Sequence, residues 1–151
     1  MLHVALLEPE IPPNTGNIAR LCAATGTALH LIGRLGFRLD ERSLRRAGLD
    51  YWPAVDCRRH ASLDDLEKAL GSARILCFSA HASLTYTRIK YQDGDCLMFG
   101  GESRGLPKTL LEKHPDRTVT IPMPADRVRS LNLATAVGIA LYEALRQLHN
   151  W

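Results

Sequence analysis

Five short apolar runs along the chain predict the strands of a sheet. They cover residues 2–7, 28–32, 74–79, 96–100 and 118–121. Several of them are apolar without alternation, which is typical of parallel strands covered by helices on both faces. Segments with helical capping signals lie between the runs. This alternation predicts an α/β domain with a mainly parallel sheet flanked by helices.

The helices are predicted from their end signals. Asn14 is a good N-cap for a helix that ends near Thr25, and Gly26 supplies the stop. Other caps and helix-compatible segments predict further helices over residues 40–46, 63–70 and 107–113, which start at Asp40, after Ser62 and at Pro107.

The last predicted helix is apolar on almost every side in its first half, over residues 131–141. A helix that is apolar all round must be covered on several faces. A chain of 151 residues is expected to form one domain. The pattern therefore predicts either a deep position in that domain or a subunit interface for this helix.

The composition, 46% hydrophobic and 23% charged, is that of an ordinary soluble globular protein. No apolar run approaches the roughly 18 residues of a membrane span, and residues 1–9 suggest a strand rather than a signal peptide. We therefore expect a cytoplasmic protein with no membrane segment. The four cysteines form no CxxC pair, which favours buried thiols, and the six scattered histidines argue against a metal site.

A net charge of +3 is only mildly basic, but the arginines are unevenly distributed. Seven of them crowd between residues 34 and 59, at Arg34, Arg38, Arg42, Arg45, Arg46, Arg58 and Arg59. Such a stretch is either a solvated arginine-rich face or a surface that contacts phosphates. The residues alone do not decide between the two.

Three small, polar, glycine-bearing or proline-bearing segments stand at the ends of predicted strands or the starts of helices. They are NTGNIAR at 14–20, FGGESRGL at 99–106, and IPM at 121–123 running into RSLNL at 129–133. Glycines allow the backbone to approach a ligand closely, although a plain turn explains any single one of them. Neither a GxGxxG after a strand nor a GxxxxGK[ST] occurs, which argues against dinucleotide and P-loop sites.

Together and in this order, the three segments resemble the signature motifs of the SPOUT (SpoU–TrmD) RNA methyltransferases, over about residues 1–148. Segments 8–18 and 45–51 most resemble the TrmL group, which methylates the ribose 2′-OH of the tRNA wobble nucleotide. The resemblance implies a single domain over residues 1–151 without a separate RNA-binding extension, a C-terminal trefoil knot and a homodimer. It also implies S-adenosyl-L-methionine as cofactor, no metal, and the tRNA anticodon stem-loop as partner.

The resemblance also assigns residues. Arg20 matches the motif arginine, and because a guanidinium stays protonated in proteins we expect it to clamp phosphate and stabilise negative charge rather than act as a base. The resemblance implies four catalytic residues, which are Arg20, Asn14, Ser130 and Asn132. It implies four arginines that contact RNA, which are Arg20, Arg45, Arg46 and Arg129. The residues implied to contact the cofactor are Phe78, Ser79, Gly100, Glu102, Gly105, Ile121, Met123, Ser130 and Leu131.

Two alternatives stay open. The first is a 2′-O-methyltransferase that acts on rRNA or on another tRNA position; rRNA-directed relatives commonly carry an extra N-terminal domain, for which a first motif at Asn14 leaves no room. The second is a non-catalytic knotted RNA-binding module. The intact motif set argues against lost chemistry; it comprises Arg20, Glu102, Arg129, Ser130 and Asn132.

Overall fold

The computed structural model describes residues 1–39, 42 and 52–151. In this part of the chain, strands pair in parallel into one sheet with the order β3-β2-β1-β6-β4-β7-β5. The predicted α/β class with a parallel sheet is therefore confirmed. The strands are β1 His3–Leu7, β2 Ala28–Ile32, β3 Cys57–His60, β4 Ile75–Phe78, β5 Leu84–Thr85, β6 Cys96–Gly100 and β7 Thr118–Thr120.

Helices cover both faces of this sheet. They are α1 Pro12–Thr25, α2 Leu63–Leu70, α3 Lys108–Lys113 and α4 Leu133–His149. On one face, Ile18 of α1 and Val137 of α4 belong to the same buried cluster as Leu6 of β1. On the other face, Leu66 of α2 and Leu110 of α3 belong to a second cluster. Because both faces are covered, β2, β4 and β6 are buried along all or nearly all of their length, as their largely apolar runs predict.

The five predicted strands all form, but β3 and β5 were not predicted. Strand β3 has the sequence CRRH, and Arg58 and Arg59 in it are exposed. Strand β5 is only two residues long, Leu84–Thr85. Both lie at the edges of the sheet, where one side of a strand has no neighbour and polar residues are tolerated. Neither edge strand therefore carries an apolar run.

The start of α1 corrects one prediction. Asn14 is not the N-cap: the helix begins at Pro12, and Ile11 holds the N-cap position without a side-chain hydrogen bond. Pro12 fits the first turn because that turn has no intrahelical partner for an N–H. The predicted stop is confirmed, since Gly26 adopts a left-handed conformation with φ of 67°.

The other predicted helix ends agree closely with the structure. Ser62 caps α2 by accepting a hydrogen bond from the N–H of Asp65 at 3.2 Å. Pro107 takes the N-cap position of α3 rather than its first turn. The helix predicted over residues 40–46 lies outside the described residues, apart from position 42. Among the described helices, none has both the length and the apolar character needed to cross a membrane.

Three of the six histidines, scattered in sequence, form a hydrogen-bonded chain across β1, β2 and β3. Nδ1 of His3 lies 3.0 Å from Nε2 of His30, and Nδ1 of His30 lies 2.8 Å from Nε2 of His60. Three neutral imidazoles satisfy both bonds when all donate in the same direction. His30 is fully buried, and this burial, assisted by its two histidine neighbours and Arg58, lowers the pKa of His30 to about 4.

The three hydrogen-bonded histidines predict that the folded protein loses stability in acid. In the unfolded chain His30 takes up a proton near pH 6.5, whereas in the folded protein its pKa is about 4. The stabilisation that comes from neutral His30 is therefore fully present above pH 6.5 and is lost as the pH falls towards 4. The loss is on the order of 3 kcal/mol of unfolding free energy. Urea unfolding of the wild-type protein and of His30→Gln across this range measures it. The variant should lose less stability on acidification, whereas His149→Gln, at an exposed position, should behave as wild type; equal slopes for all three proteins would contradict the assignment.

Candidate active site

An open cavity lies where the carboxyl ends of β4, β6 and β7 meet. Its empty volume is about 420 Å³, including the part that opens to solvent. Ligands of open parallel sheets bind outside the carboxyl ends of the strands, because the loops that follow them converge there. The lining residues are Phe78, Ser79, Ala80, Phe99, Ile121, Met123, Ser130, Leu131 and Ala136.

The walls of this cavity are mostly apolar. The rings of Phe78 and Phe99 stack at the ends of neighbouring strands, with centroids 4.6 Å apart and an interplanar angle of 18°. Met123 and Leu131 add apolar surface, while Ser130 and Ser79 supply hydroxyl groups. Apolar walls with a few polar groups are typical of sites for small organic ligands. The cavity can therefore hold a flat, partly apolar molecule.

Six of the nine predicted cofactor residues line this cavity, although they come from three separate stretches of the chain. They are Phe78, Ser79, Ile121, Met123, Ser130 and Leu131. The sequence analysis missed Ala80, Phe99 and Ala136. Phe99 opens the second motif segment near the end of the apolar run of β6, which was the available signal. Ala136 carried none, because a small residue in an apolar helix has no distinctive pattern.

Of the other three predicted cofactor residues, Gly100 ends β6, and Glu102 and Gly105 lie on the loop that follows it. This loop turns back on itself: the N–H of Gly105 donates to the carbonyl of Gly101 at 2.9 Å. A Cβ atom on Gly100 would stand only 2.0 Å from the carbonyl carbon of Gly105. Gly100 is thus required by the loop's own backbone, a role distinct from close approach to a ligand. Glu102 directs its carboxylate to backbone N–H groups of Glu10 and Ile11.

Three of the four predicted catalytic residues gather beside the cavity. Nδ2 of Asn132 donates to Oδ1 of Asn14 at 3.0 Å, which joins α1 to the start of α4. Oδ1 of Asn132 accepts from the N–H of Thr135 at 3.2 Å and caps α4. Ser130 lies on the cavity wall two residues before Asn132. Asn14 is buried, so this pair holds the two helix starts together.

Arg20 is not brought into this group within the single chain described here. It lies on α1 and is exposed. It lies six positions after Asn14, which places the two roughly 120° apart around the helix axis. Arg129 is also exposed, directly before Ser130, whereas Arg45 and Arg46 lie outside the described residues.

Titratable groups are sparse around the cavity. In the described part of the chain, no cluster of three or more His, Cys, Asp or Glu side chains is placed to hold a metal ion. Cys22, Cys77 and Cys96 are buried free thiols, and Cys57 is half-buried. Burial raises the pKa of Cys77 to about 11, so this thiol is protonated at neutral pH.

The pattern of the SpoU rRNA Methylase family matches residues 1–142. The chain belongs to the SpoU methylase family. It is 47% identical over 149 residues to the tRNA (cytidine(34)-2′-O)-methyltransferase of Escherichia coli K12, covering 98% of this chain and 94% of that protein. The present chain also resembles a solved structure that concerns the 2-OH methylation of C/U34 on tRNA. The TM-score is 0.93 and the identity is 52%, and the similarity covers 100% of this chain and 98% of the other.

A more distant SpoU methyltransferase shows the same fold with its cofactor bound. This is AviRb from Streptomyces viridochromogenes in complex with AdoMet, with a TM-score of 0.83 and 27% identity. The similarity covers 100% of this SpoU family chain and 62% of that one. The carboxyl-edge cavity thus belongs to a fold that carries a bound methyl donor in another member of the family.

Proposed function

We propose that this SpoU family member transfers a methyl group from S-adenosyl-L-methionine to the ribose 2′-OH of the wobble nucleotide, a cytidine or a modified uridine at tRNA position 34, in the cytoplasm. The observation that carries the proposal is the similarity to the tRNA (cytidine(34)-2′-O)-methyltransferase of E. coli, at 47% identity across 98% of this chain. The gathering of Asn14, Ser130 and Asn132 beside a ligand-sized cavity supports it.

The cavity suits the proposed cofactor. Phe78 and Phe99 offer stacked rings next to which an adenine can lie, and Met123 and Leu131 surround apolar space for the rest of the molecule. S-adenosyl-L-methionine supplies the methyl group when bound. The protein residues bind and orient it, and the apolar walls exclude water from the reacting atoms.

The polar residues are suited to the needs of the attacking hydroxyl. A ribose 2′-OH gains negative charge as it loses its proton, and fixed donors or cations stabilise that charge. The hydrogen bond between Asn132 and Asn14 holds both side chains in one arrangement, so little reorganisation is needed. Arg20 serves as an electrostatic clamp on RNA phosphate and on the developing alkoxide, because its guanidinium remains protonated.

The tRNA anticodon stem-loop is the proposed partner. Arg34, Arg38, Arg59 and Arg129 are exposed, and Arg58 pairs with Asp56 at 2.8 Å. Lysine and arginine contacts to phosphate release counterions, so the affinity for tRNA should fall steeply as salt rises. Single-stranded loops offer splayed bases for recognition, which an anticodon loop provides.

We further propose that the protein is a homodimer that packs through α1 and α4, and that its C-terminal segment forms the family's trefoil knot. The outward side of α4 supports the homodimer: Tyr142 is 47% exposed, and Gly138 and Ile139 are only partly covered. Ile11, at the start of α1, is 44% exposed. Similarity to solved SpoU methyltransferases along the whole chain supports the knot.

Mass spectrometry of nucleosides and tRNA fragments tests the proposed substrate. We expect 2′-O-methylation at position 34 to disappear from cells without the gene and to return with the wild-type gene but not with an Arg20→Ala copy. Purified protein should also label wobble-unmethylated tRNA from labelled cofactor. Loss of a methyl group from rRNA or another tRNA position instead would favour the first alternative, and RNA binding without any methyl transfer would favour a non-catalytic module.

A further inference from the structure

Two glutamates on different loops each accept hydrogen bonds from backbone N–H groups of the other's loop. The carboxylate of Glu102, on the loop after β6, accepts the N–H groups of Glu10 and Ile11 at 2.8 and 2.9 Å. In return, Oε1 of Glu10 accepts the N–H of Ser103 at 3.2 Å and its hydroxyl at 2.6 Å. Hydrogen bonds to an ionised acceptor are stronger than neutral ones. The hydrogen bonds from Ser103 lower the pKa of Glu10, which keeps this carboxylate ionised at neutral pH.

The backbones of the loops are packed too closely to slide past each other. A Cβ atom on Gly101 would lie 2.6 Å from the carbonyl oxygen of Glu8, and one on Gly36 would lie 2.7 Å from that of Glu10. Glu8 itself adopts a positive φ of 49°, which is uncommon for a residue other than glycine. The segment between β1 and α1 is therefore fitted between the loops that follow β2 and β6.

The same segment leads directly into the first turn of α1, which the start of α4 also holds. Ile11 is the N-cap of α1, and Asn14 in the first turn is bonded to Asn132. A carboxylate at a helix N-terminus is favoured by the helix dipole. The start of α1 is thus held from the loop after β6 by Glu102 and from the loop before α4 by Asn132. The loop before α4 lines the cavity through Ser130, and the loop after β6 follows the strand that lines it through Phe99.

We propose that Glu10 and Glu102 form a reciprocal latch that positions α1, with Asn14 and Arg20 on it, relative to the cavity. This inference rests on the proposed function, since it assigns a role in methyl transfer to residues of that site. The latch residues are positioning residues: they act through α1 and through the loop after β6, and not on the reacting atoms. A small displacement of a catalytic group is sufficient to cost one to two orders of magnitude in rate.

The test separates positioning from binding. Glu10→Ala and Glu102→Ala are expected to lower kcat for tRNA methylation by ~10- to 100-fold, while the Kd for S-adenosylhomocysteine changes by less than about threefold. Glu10→Gln should keep most of the activity, because its amide oxygen can still accept from Ser103. The double variant Glu10→Ala/Ser103→Ala should lose no more than Glu10→Ala alone, because the two share one interaction. Glu112→Ala, an exposed glutamate on α3, is the matched control.

Hydrogen exchange in residues 9–16 supplies a readout that needs no RNA. Exchange there should be faster in Glu10→Ala and Glu102→Ala than in the wild-type protein and Glu112→Ala. If the wild-type protein methylates tRNA and Glu10→Ala turns over at the wild-type rate, the latch proposal is overturned and the proposed function stands. A folded wild-type protein that methylates no tRNA would instead overturn the proposed function, and with it the role of the latch.

Discussion

Replacement of Arg20 by alanine is expected to lower kcat for methyl transfer to tRNA by ~100-fold or more, with little change in the affinity for S-adenosylhomocysteine. Arg20 lies exposed on α1, whereas the walls of the cavity come from the ends of β4, β6 and β7, the loop before α4, and Ala136 on α4. If Arg20 acts on the attacking hydroxyl as proposed, its loss removes stabilisation that exists only in the transition state. Single-turnover transfer from labelled cofactor and calorimetry in the presence of EDTA measure the two quantities.

Two further variants give this result its meaning. Arg117→Ala removes an arginine just before β7, at the amino edge of the sheet and away from the cavity, and should leave turnover unchanged. Arg20→Lys keeps the charge without the planar, forked guanidinium and should be intermediate. Near-normal turnover of Arg20→Ala would show that Arg20 is not catalytic. A parallel loss of cofactor affinity would instead assign it to the cofactor site.

The central part of the fold could be predicted from the sequence because burial on both faces leaves a clear mark. Strands β4 and β6 are continuously apolar, β1 and β2 each carry a single histidine, and the predicted ranges match all four to within a residue at each end. The edge strand β3 was missed because Arg58 and Arg59 face solvent there. Periodicity shows what is buried, and an edge strand is only partly buried.

Six cavity residues could be assigned through the family resemblance, because a strand end and the loop after it are neighbours in sequence and form one recognisable motif. The ties between loops could not be assigned. Asn14 and Asn132 are 118 positions apart, and Glu10 and Glu102 are 92 apart. A hydrogen bond between distant loops leaves no periodic pattern and requires only one polar residue at each end. The resemblance assigns Glu102 to the cofactor, which stays a prediction; the contact that the sequence did not indicate is that of its carboxylate with the N–H groups of Glu10 and Ile11.

The side of helix α4 that faces the core could not be predicted from the sequence either. The sequence predicts that it is covered on several sides, but the rotation of a nearly all-apolar helix is decided by packing. In the structure Leu141 is fully buried within the protomer, whereas its neighbour Tyr142 is 47% exposed. Leu141 therefore takes the deep position, one of the two that the sequence left open. The outward side instead carries Gly138 and Tyr142, with Trp151 6.2 Å from Tyr142 between ring centroids.

Replacement of Gly138 by arginine is expected to convert the proposed homodimer into a folded monomer. A Cβ atom at this position meets nothing within 4 Å, so the protomer has room for a longer side chain. A second copy packed on the outward side of α4 would bury that charge without a partner, which costs several kcal/mol. Light scattering at micromolar concentration gives the mass of the assembly, and circular dichroism reports whether the variant is folded.

Two other substitutions separate assembly from folding. Gly138→Ala adds only a methyl group and raises helix propensity by about 1 kcal/mol, so it should stay dimeric and become more stable. Leu141→Glu places a charge in the core of the protomer and should yield unfolded or insoluble protein whatever the oligomeric state. A stable wild-type monomer would contradict the homodimer, and a dimeric Gly138→Arg would move the interface away from α4. If the folded, monomeric Gly138→Arg variant is also inactive, the homodimer is needed for methyl transfer as well as for covering α4.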